Sequence, residues 1–291
     1  MDKKRILIVP GLQNLSTILE HFQGNAEYEF VNSRMRNIEF IFENDEIRVL
    51  CKGEDIRNYD FVWLTSYWSN RDLSYAISLY LDSVGIEHTK VEKTTSKITD
   101  QVSFALNKLP IPATYFMGGT KSNYTVKAVL KHLNFPILVK SLKGSQGNDI
   151  DVAYNKKELK KIIDGLANRK KFMFQQFVKN EYDWGILTAE GNILSAEKSY
   201  GKDGEHVNNA SKGAKEVFVD IKEIPEHIQN IAKLSVKALD LKWARPDILI
   251  SHPDNKPYLL EVNRHPGISK GTPEIQAGLN KLESIVDRIE E

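Results

Sequence analysis

The sequence predicts an α/β protein that becomes α+β toward its C-terminal end, and three observations carry that reading. The first third alternates short apolar runs with helical stretches, the middle is punctuated by prolines and glycines, and the last part holds paired alternating runs separated by turn residues. At 291 residues the chain is long enough for two or three compact units.

Taken in order, the run Ile6-Leu7-Ile8-Val9 reads as a buried strand and residues 12–22 as a helix. Residues 38–43 and 47–51 read as a hairpin turning at Asn44-Asp45. Residues 59–64 form the next strand, followed by a helix over 71–84 that ends at Gly85, where a left-handed cap is natural. Such alternation predicts a small parallel sheet with helices on its faces. A helix over 97–106, then Pro110 and Pro112, then a helix over 122–132, make a connecting segment. Strand 135–140, loop 141–149, strand 150–154 and a lysine-rich helix over 156–168 follow. The last part starts with strand 172–178 and a hairpin over 183–198 turning at Glu190-Gly191-Asn192. The stretch 199–212 holds almost no apolar residue and reads as a surface loop of the length that lids have. A helix over 225–239, a hairpin of 244–251 with 258–263, and an amphipathic helix over 273–289 close the chain.

Charge argues against several functions. With 40 basic and 39 acidic side chains no global field draws the protein to nucleic acid or to an anionic membrane, so phosphate binding has to be local. The single cysteine, Cys51, excludes an intrachain disulfide framework and a cysteine-cluster metal site, and it reads as a strand residue. The apolar run at the N-terminus is too short for a signal peptide or a membrane span, so the expected location is cytoplasmic.

Three groups of residues carry chemistry. The loop Lys143-Gly144-Ser145-Gln146-Gly147 joins two strands, and its two glycines let backbone N–H groups approach a bulky anion. Lys140 ends the preceding strand and reaches the same space. Taken alone, the loop reads first as a tight turn and the lysine as a solvated strand end. Glu261 and Asn263, two residues apart on a strand, project to one face, and Asp247 joins them if the two final runs pair. That patch is either a polar stripe or a set of hard oxygen ligands suited to magnesium. Arg264 and His265 follow at once; Arg264 is placed to bind a substrate carboxylate or a phosphoryl group, and His265 is given no catalytic role.

The order of these motifs resembles the ATP-grasp superfamily, in its branch of the ribosomal-protein glutamate ligase, over residues 96–291. Phe135-Pro136-Ile137-Leu138-Val139-Lys140 with Gly144-Ser145-Gln146-Gly147 resembles the central lysine and phosphate-covering loop. Phe174-Gln175-Gln176-Phe177-Val178 resembles the adenine hinge, and Pro246-Asp247 with Leu260-Glu261-Val262-Asn263-Arg264-His265-Pro266-Gly267 resembles the two magnesium-carrying strands. The resemblance implies an ATP-grasp fold with an N-terminal α/β domain (1–95), a central subdomain (96–173) and a C-terminal subdomain (174–291). It also implies an ADP-forming carboxylate–amine ligase that works through an acyl-phosphate with ATP and two magnesium ions, manganese being an acceptable substitute. By the same resemblance Lys97 joins Lys140 at the phosphates, Ser145, Gln146 and Gly147 cover them, and residues 175–178 meet adenine. Asn209 and Lys212 then meet phosphate and acyl acceptor, while Tyr67, Trp68 and Arg71 lie near the other substrates. Two departures stand out. Gln176 replaces the usual acidic hinge residue, and Tyr182-Asp183-Trp184-Gly185-Ile186 lacks the arginine that glutamate ligases place around substrate. Arg245, just before the metal aspartate, is the candidate to bind a different carboxylate. The expected partners are small-molecule or peptide carboxylate and amine substrates, with neither nucleic acid nor membrane, in a chain for which a homo-oligomer is compatible. A ligase tailoring a ribosomally made precursor peptide and a non-catalytic ATP-binding regulator are the alternatives.

Overall fold

A computed structural model of the chain describes residues 3–24, 26–43, 46–93, 95–118, 124–142, 150–166, 171–201 and 215–290. The N-terminal apolar run forms β1 (Lys4–Val9), followed by α1 (Leu15–Leu19) and β2 (Tyr28–Asn32). Next come β3 (Ile38–Glu43), β4 (Glu46–Cys51), the short β5 (Glu54–Asp55) and β6 (Phe61–Leu64). Helix α2 (Arg71–Val84) and β7 (Glu87–His88) complete the unit. Strands β2, β1, β6 and β7 make a parallel sheet in that order, while β3, β4 and β5 form a separate antiparallel one. Both faces of the sheet are covered at its centre, which is why residues 6–9 of β1 and all of β6 are apolar at every position rather than at alternate ones. Leu7, Val9, Val62 and Leu64 pack toward Ile77 and Leu81 of α2. Ile6, Ile8, Phe61 and Trp63 face the other way, into the core that holds α1 and the C-terminal helix.

Helix α3 (Lys97–Leu106) starts where a capping box forces it to: the Ser96 hydroxyl accepts from the Thr99 N–H, and the Thr99 hydroxyl accepts from the Ser96 N–H. Then come β8 (Thr114–Tyr115), α4 (Val126–Val129), β9 (Ile137–Ser141), β10 (Ile150–Ala153), α5 (Lys156–Gly165) and β11 (Phe172–Gln176). They give a small antiparallel sheet ordered β10-β9-β11-β8, backed by α4 and α5 around Val139, Leu159, Ile163 and Phe174. The last part is a five-stranded antiparallel sheet in the order β14 (Lys215–Val219), β13 (Asn192–Tyr200), β12 (Asn180–Ala189), β15 (Trp243–Ser251) and β16 (Pro257–Asn263). Helix α6 (Glu226–Ala238) packs on one face through Ile228, Ala232 and Val236. Helix α7 (Glu274–Glu290) packs its Leu282 and Ile285 into the core of Ile6, Ile8 and Trp63 that Leu187, Ala189 and Trp243 of the C-terminal sheet also enter. One shared core therefore fastens the N-terminal unit to the large sheet, and this fixes the walls between them.

The structure departs from the sequence reading in several places. The helix expected over 12–22 shrinks to Leu15–Leu19, because Asn14 sits at φ 56° and the Asn32 side chain pairs with both the N–H and the C=O of Leu12. Strands β2 and β14 were not expected. The helix expected over 122–132 is the single turn Val126–Val129, capped by Thr125. The phosphate-loop residues Ser145, Gln146 and Gly147, and Asn209 and Lys212 of the lid-like stretch, lie outside the described residues. Among the described residues no helix is long and apolar enough to cross a membrane.

Candidate active site

A cavity of about 350 Å³ lies between the three parts of the chain. Its volume is within the range of small-molecule sites. The floor is one face of the large sheet, because strand alternation turns Asp183, Glu197, Ser199, Glu216, Arg245, Asp247, Glu261 and Asn263 into it. Asp247 is the register partner of Glu261, and Arg245 that of Asn263. The Asn263 Nδ2 donates to Asp247 Oδ2 over 2.8 Å. Burial first, and the facing Glu261 second, push the Asp247 carboxyl well above the usual carboxylate range.

Opposite this floor stand two ammonium groups. Lys97 is the first residue of α3, and the capping box that starts the helix places its Nζ 3.8 Å from Glu261 Oε2. Lys140 lies on β9 between its register partners Ile150 and Met173, and all three line the cavity. Its Nζ donates to Gln175 Oε1 over 2.7 Å, and burial brings its pKa down to about 8 despite the attraction of Glu261.

The two arginines are held differently. Arg264 donates from Nε to Glu92, from Nη1 and Nη2 to Asp100 at 2.7 and 3.0 Å, and from Nη1 to the Val262 carbonyl at 2.8 Å. With 3% of its side chain exposed, it ties β16 to α3 and to the segment after β7. Although burial opposes it, the pairing with Asp100 and Glu92 raises the pKa of Arg264, and burial raises that of Asp100. Arg245 bridges Glu197, 3.2 Å from its Nη1, and Glu274 at the start of α7, while its buried Nε has no acceptor.

The structure thus gathers Lys97, Lys140, Arg245, Asp247, Glu261, Asn263 and Arg264 around one cavity. Residues 175–178 do not line it. Gln175 is fully buried between Lys140 and Thr114, and the Gln176 side chain accepts from the Asn134 N–H and donates to the Pro136 carbonyl. The N–H groups of Gln176 and Phe177 are bonded to Ala113 and Pro136. His265 lies beside Thr65 and Tyr67 with its pKa brought down by burial to about 4, so it is neutral near pH 7.

Sequence reasoning missed Glu92, Asp100, Gln101, Glu197 and Glu274. Asp100 had left a signal: it stands four residues before the fully buried Phe104, so the inward face of α3 carries an acid. Glu197 left none, since a polar residue on an alternating strand reads as solvent-facing.

A magnesium ion fits the donor set. Asp247 and Glu261 confront each other with like charge, and the amide oxygen of Asn263 supplies a third hard donor. Among the described residues no group of three or more His, Cys, Asp or Glu converges as a complete cage. Two carboxylates and an amide suit an ion that keeps waters and phosphates in its shell.

Sheet, cavity and charge pattern set two ammonium groups against a face of oxygen donors, and comparison with known proteins gives the kind of enzyme. The model of the RimK-like ATP-grasp domain matches residues 95–289, and the chain belongs to this family. A "Probable alpha-L-glutamate ligase" of Trichodesmium erythraeum is 25% identical over 267 residues, covering 89% of this chain and 86% of that protein. Among solved structures, D-alanyl-alanine synthetase A from Vibrio cholerae superposes with a TM-score of 0.71 at 15% identity over all of both chains. A ribosomal-peptide-associated ATP-grasp ligase from Chryseobacterium gregarium, solved with ADP and a leader and core peptide, gives 0.65 at 14% identity over 98% of this chain and 97% of that one. The fold is the ATP-grasp fold with N-terminal, central and C-terminal subdomains. The enzyme is an ATP-dependent carboxylate–amine ligase.

Proposed function

We propose that Lys97 and Lys140 hold the phosphates of ATP above Asp247, Glu261 and Asn263, which hold two magnesium ions or manganese in their place. The observation that carries this reading is the opposition of two ammonium groups to two register-paired carboxylates and an amide across a single cavity. When bound, the cations neutralise phosphate charge and reduce the repulsion between γ-phosphate and carboxylate. A carboxylate oxygen of one substrate attacks the γ-phosphorus, and ADP leaves. The amine of the other then attacks the acyl carbon of the resulting acyl-phosphate, phosphate leaves, and the amine gives up a proton.

Ile150 and Met173 flank Lys140 and give an apolar wall for the base. Because the side chains of Gln175 and Gln176 and the N–H groups of Gln176 and Phe177 serve protein partners, any polar hinge contact to adenine at 175–178 falls to the remaining backbone groups. Ser145, Gln146 and Gly147 as phosphate cover, and Asn209 and Lys212 at the acyl acceptor, stand on their motifs. Arg245, steadied by Glu197 and Glu274 and with Nε unpartnered, is the residue for developing negative charge on the reacting substrate. Arg264 is a fastener, because Glu92, Asp100 and Val262 already take its donors.

The curated relatives carry glutamate ligase names. Glutamate is not the substrate favoured here, since Asp183 and Trp184 set an acid and an indole where those ligases use arginine. Products formed with ATP, magnesium and a panel of carboxylates and amines provide the test. ADP and phosphate are expected, and AMP with pyrophosphate would sink the acyl-phosphate route.

A further inference from the structure

One indole of the N-terminal unit stands among three cations. The Cζ atoms of Arg71 and Arg264 lie 3.4 and 5.4 Å from the centroid of the Trp68 ring, and the Nζ of Lys97 lies 5.5 Å from it. All three distances are within the reach at which a ring face attracts a positive charge. Trp68 and the three cations line the cavity together. Trp68 precedes α2 and falls outside residues 95–289, so membership of the family assigns it nothing.

The three cations are held unequally. Both guanidinium groups are buried and occupied: Arg264 donates to Glu92 and Asp100, while Arg71 donates to the Thr95 hydroxyl and lies 3.7 Å from Asp100. Lys97 has only an ion pair to Glu261 at 3.8 Å, which is too long for a hydrogen bond. Among the described residues no acceptor takes an N–H of its ammonium, whereas Lys140 spends one on Gln175. An ammonium has three donors, and an oxygen partner uses them up. A ring face attracts the charge without an acceptor atom, so it can hold a lysine and leave its N–H groups for phosphate oxygens.

We propose that Trp68 is the positioning residue for Lys97: fixed by its stack on Arg71, the indole holds the ammonium in the cavity with its N–H groups free for the phosphates of the nucleotide. This inference rests on the reading of Lys97 as a phosphate lysine, and it names what the N-terminal unit adds to that site. Glu261 alone cannot serve this purpose. When its carboxylate faces a magnesium ion, the ion offsets its charge and its pull on Lys97 falls. The indole is uncharged, so its attraction for the ammonium persists.

The test is calorimetric binding of a non-hydrolysable ATP analogue with magnesium to the full-length protein. Trp68→Met, which fills space without a ring, should weaken binding about fivefold, the size of a partly desolvated cation–π contact. Trp68→Phe restores a ring and should recover part of that loss. In a Lys97→Met background, Trp68→Met should add less than about twofold, because the group it positions is gone. Melting curves establish that each variant is folded, and Trp68→Leu repeats the cycle should Trp68→Met fail to fold. A merely structural role for Trp68 would cost the same factor with Lys97 present or absent, and that additive result overturns the proposal while the phosphate reading of Lys97 stands. Full affinity in both Trp68→Met and Trp68→Leu overturns it too. If Lys97→Met alone binds the analogue as tightly as the unaltered protein, the phosphate reading of Lys97 falls and takes this inference with it. Failure of the unaltered protein to bind the analogue sinks both.

Discussion

Asp247 and Glu261 face each other as register partners across β15 and β16, and Asn263 donates to Asp247 over 2.8 Å. Without a cation the pair is a liability, because the raised pKa of Asp247 makes its ionised form the disfavoured one. The sign is that of any carboxyl raised on folding. Its contribution to stability is present below the unfolded pKa and is lost as pH rises through the folded value. Asp247→Asn should therefore raise the melting temperature of metal-free protein near pH 7 by a few degrees, about 2–4 °C per kcal/mol for a chain of this size. Added magnesium should stabilise the unaltered protein and not the variant. Glu261→Ala should abolish turnover. Melts in EDTA and in magnesium, with ADP release, check all three, and an active Glu261→Ala enzyme would refute the metal assignment.

The pairing of β15 with β16 was legible because chemistry and periodicity coincide there: Glu261 and Asn263 interrupt Leu259, Leu260 and Val262, an unusual place for an acid unless something binds it. The start of α3 was legible from Ser96 and the end of α2 from Gly85, since capping is local chemistry. What stayed hidden depends on tertiary pairing. The network of Arg71, Glu92, Asp100 and Arg264 joins residues up to 193 positions apart in sequence, and no local pattern marks it. Strand β2 exists because β1 offers a parallel edge, while its own alternation around Phe30 is weak. The extent of α1 was misjudged because the Asn32 side chain, from another strand, takes up the groups of Leu12.

Arg264 provides the clearest separation of fastening from chemistry. Its removal leaves the buried Asp100 and the partly buried Glu92 only the longer ion pairs to Arg71, at 3.7 and 4.0 Å, so the loss should approach that of a broken buried charge pair, about 3–5 kcal/mol, without reaching its upper end. Arg264→Met should therefore lower the urea midpoint sharply. Combining it with Asp100→Leu should recover part of the loss, because the stranded charge goes with it. A variant with Arg264→Met alone that keeps full stability but loses turnover would return Arg264 to the list of substrate-binding groups.

Lys140 sets a pH dependence. Burial lowers its pKa to about 8, so the unliganded enzyme loses this charge well below the usual lysine range. Phosphate binding needs the protonated form, hence KM for ATP should be flat at and below about pH 7. Above pH 8 it should climb toward about tenfold per pH unit until the pKa of the bound form is reached. Stability has the opposite sense: carrying a buried ammonium disfavours the fold below pH 8, and the burden eases as pH rises through that value. Lys140→Arg should move the rise in KM to higher pH, and Lys140→Gln should remove it while leaving KM high throughout. A steady-state series from pH 6 to 10 distinguishes these profiles.

Gly185 stands on β12 between Glu197 of β13 and Asp247 of β15, as the register partner of both. A Cβ built there would lie 2.7 Å from Glu197 Oε1 and 3.2 Å from its Cγ, so the carboxylate has to move. Glu197 is buried, 4% exposed, and holds Arg245 at 3.2 Å, so a displaced carboxylate pulls the guanidinium from the cavity floor. Overpacking of this kind costs about 1–3 kcal/mol. Gly185→Ala should therefore lose modest stability but at least tenfold in kcat, with KM for ATP little altered, because the lysines proposed to meet the phosphates stand on α3 and β9. Glu197→Gln, which keeps the volume and weakens the hold on Arg245, should reproduce the kcat loss without the packing cost. If Gly185→Ala turns over normally, the Glu197–Arg245 pair has no part in catalysis, and Arg245 would have to be read as a tie to α7 through Glu274 alone.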